Sequence, residues 1–224
     1  MIPGLPIYIS VLFIIAALLT VYLFYRATHK SDLTFIVLAS WLMIQAIISL
    51  KGFYTDTNTI PPHIALLIAP PVLLILLLFI TKKGRTYIDG LDAGRLTYTH
   101  VVRVLVEFGL IVLYNHKLIP ALMTVEGRNF DIFSGITAPL VASFGYGKKR
   151  LSVKLLLTWN FICLVLVLNV VINGILSVPS AFQQFAFDQP NIAILYFPFS
   201  WLPSFIVPIV IFSHLVCIRQ LLKK

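Results

Sequence analysis

The sequence predicts an all-α polytopic membrane protein, a bundle of about seven transmembrane helices forming one domain over residues 1–224. Three observations predict it. The chain is 59% hydrophobic and 11% charged, with a mean hydropathy of +0.98, more apolar surface than a soluble core of this length can hide. Its apolar residues fall in runs of about 20, the length that crosses a bilayer. Its 17 Lys and Arg residues sit in short clusters between those runs, so the net charge of +9 reads as a topology signal and excludes a nucleic-acid-binding face.

On the length criterion, helices lie near 5–25, 33–50, 62–81, 98–115, 130–146, 153–176 and 191–216. The first run, Gly4 to Tyr25, has no basic residue before it and no small-residue cleavage site, and is expected to stay in the mature protein. The fifth is short and rich in small residues, Phe133-Ser-Gly-Ile-Thr-Ala-Pro139-Leu-Val-Ala, and reads either as a span or as a re-entrant element. Basic residues decide for a span. Arg26 and Lys30 follow the first helix, Lys82, Lys83, Arg85 and Arg95 the third, Lys148 to Arg150 and Lys154 the fifth, and Arg219, Lys223 and Lys224 the seventh. Retention of positive loops in the cytoplasm puts the N-terminus outside and the C-terminus inside. Pro62 to Pro70 and Pro190 to Pro198 match in register, and Trp41 pairs with Trp159, which suggests a three-plus-one-plus-three parallel repeat.

Polar residues inside the apolar runs are the candidate site. Thr99-His100-Val-Val-Arg103-Val-Leu-Val-Glu107 puts His100, Arg103 and Glu107 on one face of the fourth helix, with Arg103 able to pair with Glu107. An ionisable group at that depth costs at least roughly 2.5 to 3.5 kcal/mol, so the trio is expected to line a polar cavity together with Asn160 and Asn173 of the sixth helix. The alternative is a self-neutralising pair leaning toward the headgroups. Glu126, Arg128, Asn129 and Asp131 form a second, outer-rim cluster or, on the plainer reading, a helix cap. Pro70, Pro71, Pro139, Pro198, Pro203 and Pro208 interrupt the odd-numbered helices, either as hinges or as static kinks.

No cofactor is expected. Cys163 and Cys217 fall in apolar segments as small hydrophobes, and no His-x-x-x-His or Cys-x-x-Cys spacing occurs. His63 with His116 at the outer surface, and His100 with His214 at the inner, are the positions a haem or metal would use.

The phrases Glu126-Gly-Arg-Asn-Phe-Asp131, Trp159-Asn160, Asn173-Gly-Ile-Leu176 and Gln189-Pro-Asn191 resemble a family of small bacterial multi-pass membrane proteins. That resemblance implies the bacterial cytoplasmic (inner) membrane and no activity. The layout is similar to that of SWEET and PQ-loop carriers, although the chain has no Pro-Gln motif. The seventh helix lacks the lysine that a retinal-binding rhodopsin would need. The leading expectation is a carrier or ligand-binding protein for an unidentified small molecule, with the lipid bilayer as its surroundings and a homo-oligomer allowed. The rivals are a membrane-embedded enzyme or redox protein using His100, His214 and the 126–131 segment, and an assembly or sensory partner.

Overall fold

A computed structural model describes residues 2–223. The described residues contain eight helices and no strand. They are α1 (Ile7–Ala27), α2 (Asp32–Leu50), α3 (Ala65–Ile80), α4 (Lys82–Asp89), α5 (Ala93–Asn115), α6 (Ile132–Gly147), α7 (Val153–Leu176) and α8 (Leu202–Leu222). Of these, α1, α2, α5, α7 and α8 are long and apolar enough to cross a membrane, and α3 with α4 makes a sixth candidate bent by 92°. Such helices are compatible with a membrane-embedded protein, as are the exposed Leu155, Phe161, Ile162, Val165 and Ile172 of α7. The apolar α6 is shorter and ends in a π-helical stretch from Ala142 to Gly147.

Local chemistry sets four of the eight helix starts. Ser31, Thr81, Asp92 and Ser152 each accept a hydrogen bond from an otherwise orphaned backbone N–H, of Thr34, Gly84, Arg95 and Leu155 respectively. The Asp92 cap corrects the expected start of the fourth span, which begins at Ala93 and not near 98. A larger correction concerns the seventh. The 191–216 run is predominantly apolar, yet only Ala193–Leu195 forms a 3-10 turn in its first half, and the long helix runs Leu202–Leu222. Proline explains the delay, because Pro198 and Pro203 cannot donate to a preceding turn; Pro198 therefore lies outside any helix, and Pro203 and Pro208 sit at the starts of helical stretches. The third span starts at Ala65. The matched peptides Pro62–Pro70 and Pro190–Pro198 thus adopt different conformations, a helix start in one and an isolated turn in the other.

The bundle is built around α1, α5 and α8, with α7 packed on α8, α6 on α5, and α2 on α1. Gly109 lets α1 approach α5, since a Cβ there would collide with the Phe13 ring. Phe13 in turn meets Phe199 edge-on at 4.9 Å. The Ser204 carbonyl loses its helical donor because Pro208 has no N–H, and Trp41 Nε1 of α2 donates to it at 2.9 Å. Trp201 Nε1 returns the contact by donating to Leu42 O at 3.0 Å. At Pro208, therefore, a freed carbonyl is met by a packed neighbour.

One end of the bundle is fastened by ion pairs. Asp89, at the end of the basic amphipathic α4, accepts from Arg219 Nε at 2.8 Å and from Lys223. Those two cations hold its carboxyl at about 2, below the usual range. A depressed carboxyl pKa stabilises the fold above the unfolded value, and that contribution fades only as pH falls through the low one. The clamp should therefore persist from neutral to mildly acid pH. Asp89→Asn should free α4 and speed tryptic cleavage at Lys82, Lys83 and Arg85 at neutral pH, and an unchanged cleavage rate would mean that α4 is held by packing alone.

Candidate functional site

The α5 trio is buried, and so are residues from two other segments that come to meet it. His100 is 0% exposed, Arg103 3% and Glu107 1%. Because α5 starts at Ala93, His100 lies roughly 10 Å along the helix and not at its end. The same shift of boundary moves His214 to the middle of α8.

Arg103 is the hub. Its Nε lies 2.9 Å from Asp131 Oδ2, a close ion pair whose N–H is not aimed along the contact. One terminal nitrogen donates to the Cys163 carbonyl of α7 at 3.2 Å, and the other contacts His214 Nε2 at 3.3 Å. His214 Nδ1 in turn donates to Asn160 Oδ1 at 2.9 Å, while Asn160 Nδ2 donates to Leu156 O and so fixes the amide orientation. Both His214 contacts are met by one tautomer, Nδ1 protonated and Nε2 accepting.

The expected Arg103 to Glu107 ion pair is not formed. Glu107 instead accepts from Asn129 Nδ2 through both oxygens, at 2.7 and 2.8 Å. The turn after Thr124 folds inward, with Gly127 and Asn129 N–H groups donating to Thr124 O. Asn129 then accepts from the Asp131 N–H at 2.8 Å. Asn129 and Asp131 therefore belong to the interior and not to an outer rim, and the Asp131 carboxyl does not cap α6. Glu126 and Arg128 are exposed. The Arg128 carbonyl accepts from Asn169, and Asn169 from Asn173, so Asn173 supports the turn and does not reach Arg103.

His100 stacks on His214 with centroids 3.8 Å apart and planes within 15°, and Trp159 meets both rings at 5.7 and 5.5 Å. An imidazole ligates through a lone pair in its ring plane, so two rings stacked face to face do not point at an ion between them. No group of three or more His, Cys, Asp or Glu side chains suited to a metal occurs among the described residues. His63 is engaged elsewhere, stacked on Phe53 and bonded to its carbonyl at 2.8 Å, and His116 is exposed at the end of α5. Both His100 nitrogens, Asp131 Oδ1 and Ser134 Oγ are buried without a hydrogen-bond partner. The interior thus keeps unused donor and acceptor capacity beside its charges.

A family described as a domain of unknown function, DUF8737, matches residues 60–222, most of the chain. The chain belongs to the DUF8737 family. The DUF8737 region contains α3 to α8 and every residue of the Arg103 network, whereas α1 and α2 precede it. No curated protein and no solved structure matches the chain.

Proposed function

We propose that this is a bacterial inner-membrane carrier for a small molecule, crossing the bilayer seven times with its N-terminus outside, and that the Arg103 network is its substrate- and proton-responsive centre. The five long spans would be joined by α3 and α6, 16 residues each, to make seven crossings. The basic residues Arg26, Lys82, Lys83, Arg85 and Lys148 to Arg150 then share the face that carries the Asp89 clamp. α4 would lie in that interface with its lysines toward headgroups.

The observation that carries the reading is one buried guanidinium in an interior that also holds two carboxyl groups, Asp131 in contact with it and Glu107 held instead by Asn129. Residues this costly to bury are typical of ion and substrate pathways. The charge count is uneven, and a bound proton or cation evens it out. Asp131 reaches Arg103 from the segment joining α5 to α6, so an anionic group of a substrate would take Arg103 by displacing Asp131 and withdrawing that segment. Pro70, Pro71 and Pro139 interrupt α3 and α6, the shortest crossings, and are where bending would be absorbed.

Liposomes holding the purified protein and an internal pH dye test this against a panel of amino acids, sugars and carboxylic acids. At least one solute should drive proton uptake with the wild type, and Arg103→Met should abolish it. Glu107→Gln keeps a carbonyl oxygen for Asn129 Nδ2 and should fold normally, yet lose the coupling of solute to proton. Unchanged coupled uptake in both variants would sink the proposal.

A further inference from the structure

Helix α4 turns 92° from α3 and lies across its foot. The turn is built in. Thr81 Oγ1 caps α4 by accepting from the Gly84 N–H, and Gly84 lets the two helices close, since a Cβ there would collide with the Leu78 carbonyl oxygen. The far end is fixed too, because Gln220 Nε2 donates to Ile88 O and Leu91 O, both at 2.9 Å, and Tyr87 Oη lies 3.2 Å from Thr34 Oγ1. Gly84 and Ile88, one turn apart, are buried against the protein, and Lys82 and Lys83 are exposed.

This rigid element carries charge that nothing in the protein answers. Among the described residues, Lys82, Lys83 and Arg85 have no carboxylate within ion-pair distance. The acids at this end are engaged elsewhere, Asp89 by Arg219 and Lys223, Asp92 by Arg95, and Asp32 by the Tyr25 hydroxyl. Just before the lysines, Leu73, Leu77 and Ile80 repeat along one exposed face of α3.

We propose that the α3–α4 elbow docks an anionic phospholipid, with its phosphodiester on Lys82 and Lys83 and an acyl chain along Leu73, Leu77 and Ile80. Charge and apolar surface meet there at one edge, as they do in a phospholipid. The stripe from Leu73 to Ile80 rises roughly 10 Å, most of the hydrocarbon depth of one leaflet. A zwitterionic lipid brings an ammonium that two lysines repel, so the pattern favours a headgroup of net negative charge. A soluble phosphate would meet the lysines and leave the apolar stripe unmatched. The site requires a membrane-embedded chain and does not depend on the carrier reading. With the lipid in place α4 is held at both ends, by the headgroup at Lys82 and by the Asp89 clamp.

The test places the full chain in nanodiscs of phosphatidylcholine and phosphatidylglycerol in equal parts and counts the lipids it retains by native mass spectrometry. Phosphatidylglycerol should be retained over phosphatidylcholine by roughly 10- to 30-fold, and a Lys82→Gln, Lys83→Gln double variant should lose most of that preference. A Lys149→Gln, Lys154→Gln variant removes the same charge from another exposed stretch and should keep it. A phosphatidylglycerol with a photoactivatable diazirine on its acyl chain should leave adducts between Leu73 and Ile80. Glycerol phosphate in excess should not displace the lipid. Equal losses in the two double variants would reduce the preference to the overall positive charge of the protein, and displacement by glycerol phosphate would make the elbow a site for a soluble anion; either result overturns the proposal.

Discussion

Asp131→Ala should be the most destabilising single change in the interior, lowering the unfolding midpoint of the purified protein by on the order of 10 °C. Arg103 is 3% exposed and, among the described residues, Asp131 is its only carboxylate partner within salt-bridge distance. Removing that partner leaves a guanidinium in the interior with one carbonyl and one imidazole nitrogen for company, and losing one half of a buried pair costs roughly 3 to 5 kcal/mol. Removing both halves is a different matter. An Arg103→Met, Asp131→Leu double variant replaces charge by apolar side chains of similar reach and should regain most of the lost stability, because matched apolar replacements of buried pairs are often neutral. The double variant should still fail in the solute-driven proton assay. Tryptophan fluorescence during heating reads the first effect, and an Asp131→Ala protein as stable as the wild type would mean that the ion pair does not hold Arg103.

The trio of α5 was legible because a helix has a fixed period. His100, Arg103 and Glu107 follow one face by spacing alone, and that face is buried. Their partners were not legible. The pairing expected within the helix, Arg103 with Glu107, is displaced by Asp131 and Asn129, which arrive through an irregular turn that no periodicity describes. The sequence puts His214 near an end for a related reason. An apolar run specifies burial but not where a helix begins, and Pro198 and Pro203 delay α8 enough to bring His214 to mid-span beside His100. The basic stretch after α3 read as a loop because eight residues carry too little hydrophobic pattern, although its Thr81 cap is an ordinary helix-start signal. Uninterrupted runs fared best, and α1, α2 and α7 lie within two residues of their expected bounds.

Gly127→Ala should uncouple the inward turn from the network without touching a single charged group. The sequence suggests glycine there for a tight turn, yet its backbone is not in the left-handed region, so alanine meets no conformational penalty. The obstacle is steric. A Cβ at Gly127 would run into the Ala121 carbonyl oxygen, 2.7 Å from its carbon and 2.8 Å from Leu122 Cα, all backbone atoms that cannot rotate away. The turn must therefore shift as a unit, carrying Asn129 and Asp131 off Glu107 and Arg103, at a cost of roughly 1 to 3 kcal/mol for the overpacking itself. Gly147→Ala is the control, since its nearest neighbour to a new Cβ is 3.8 Å away, and it should leave stability unchanged. Non-additivity separates a local clash from a lost network. In the Arg103→Met, Asp131→Leu background there is no ion pair left to disturb, so Gly127→Ala should cost less than it does in the wild type. Equal costs in the two backgrounds would mean that the turn packs for its own sake and that Asp131 reaches Arg103 whatever the turn does.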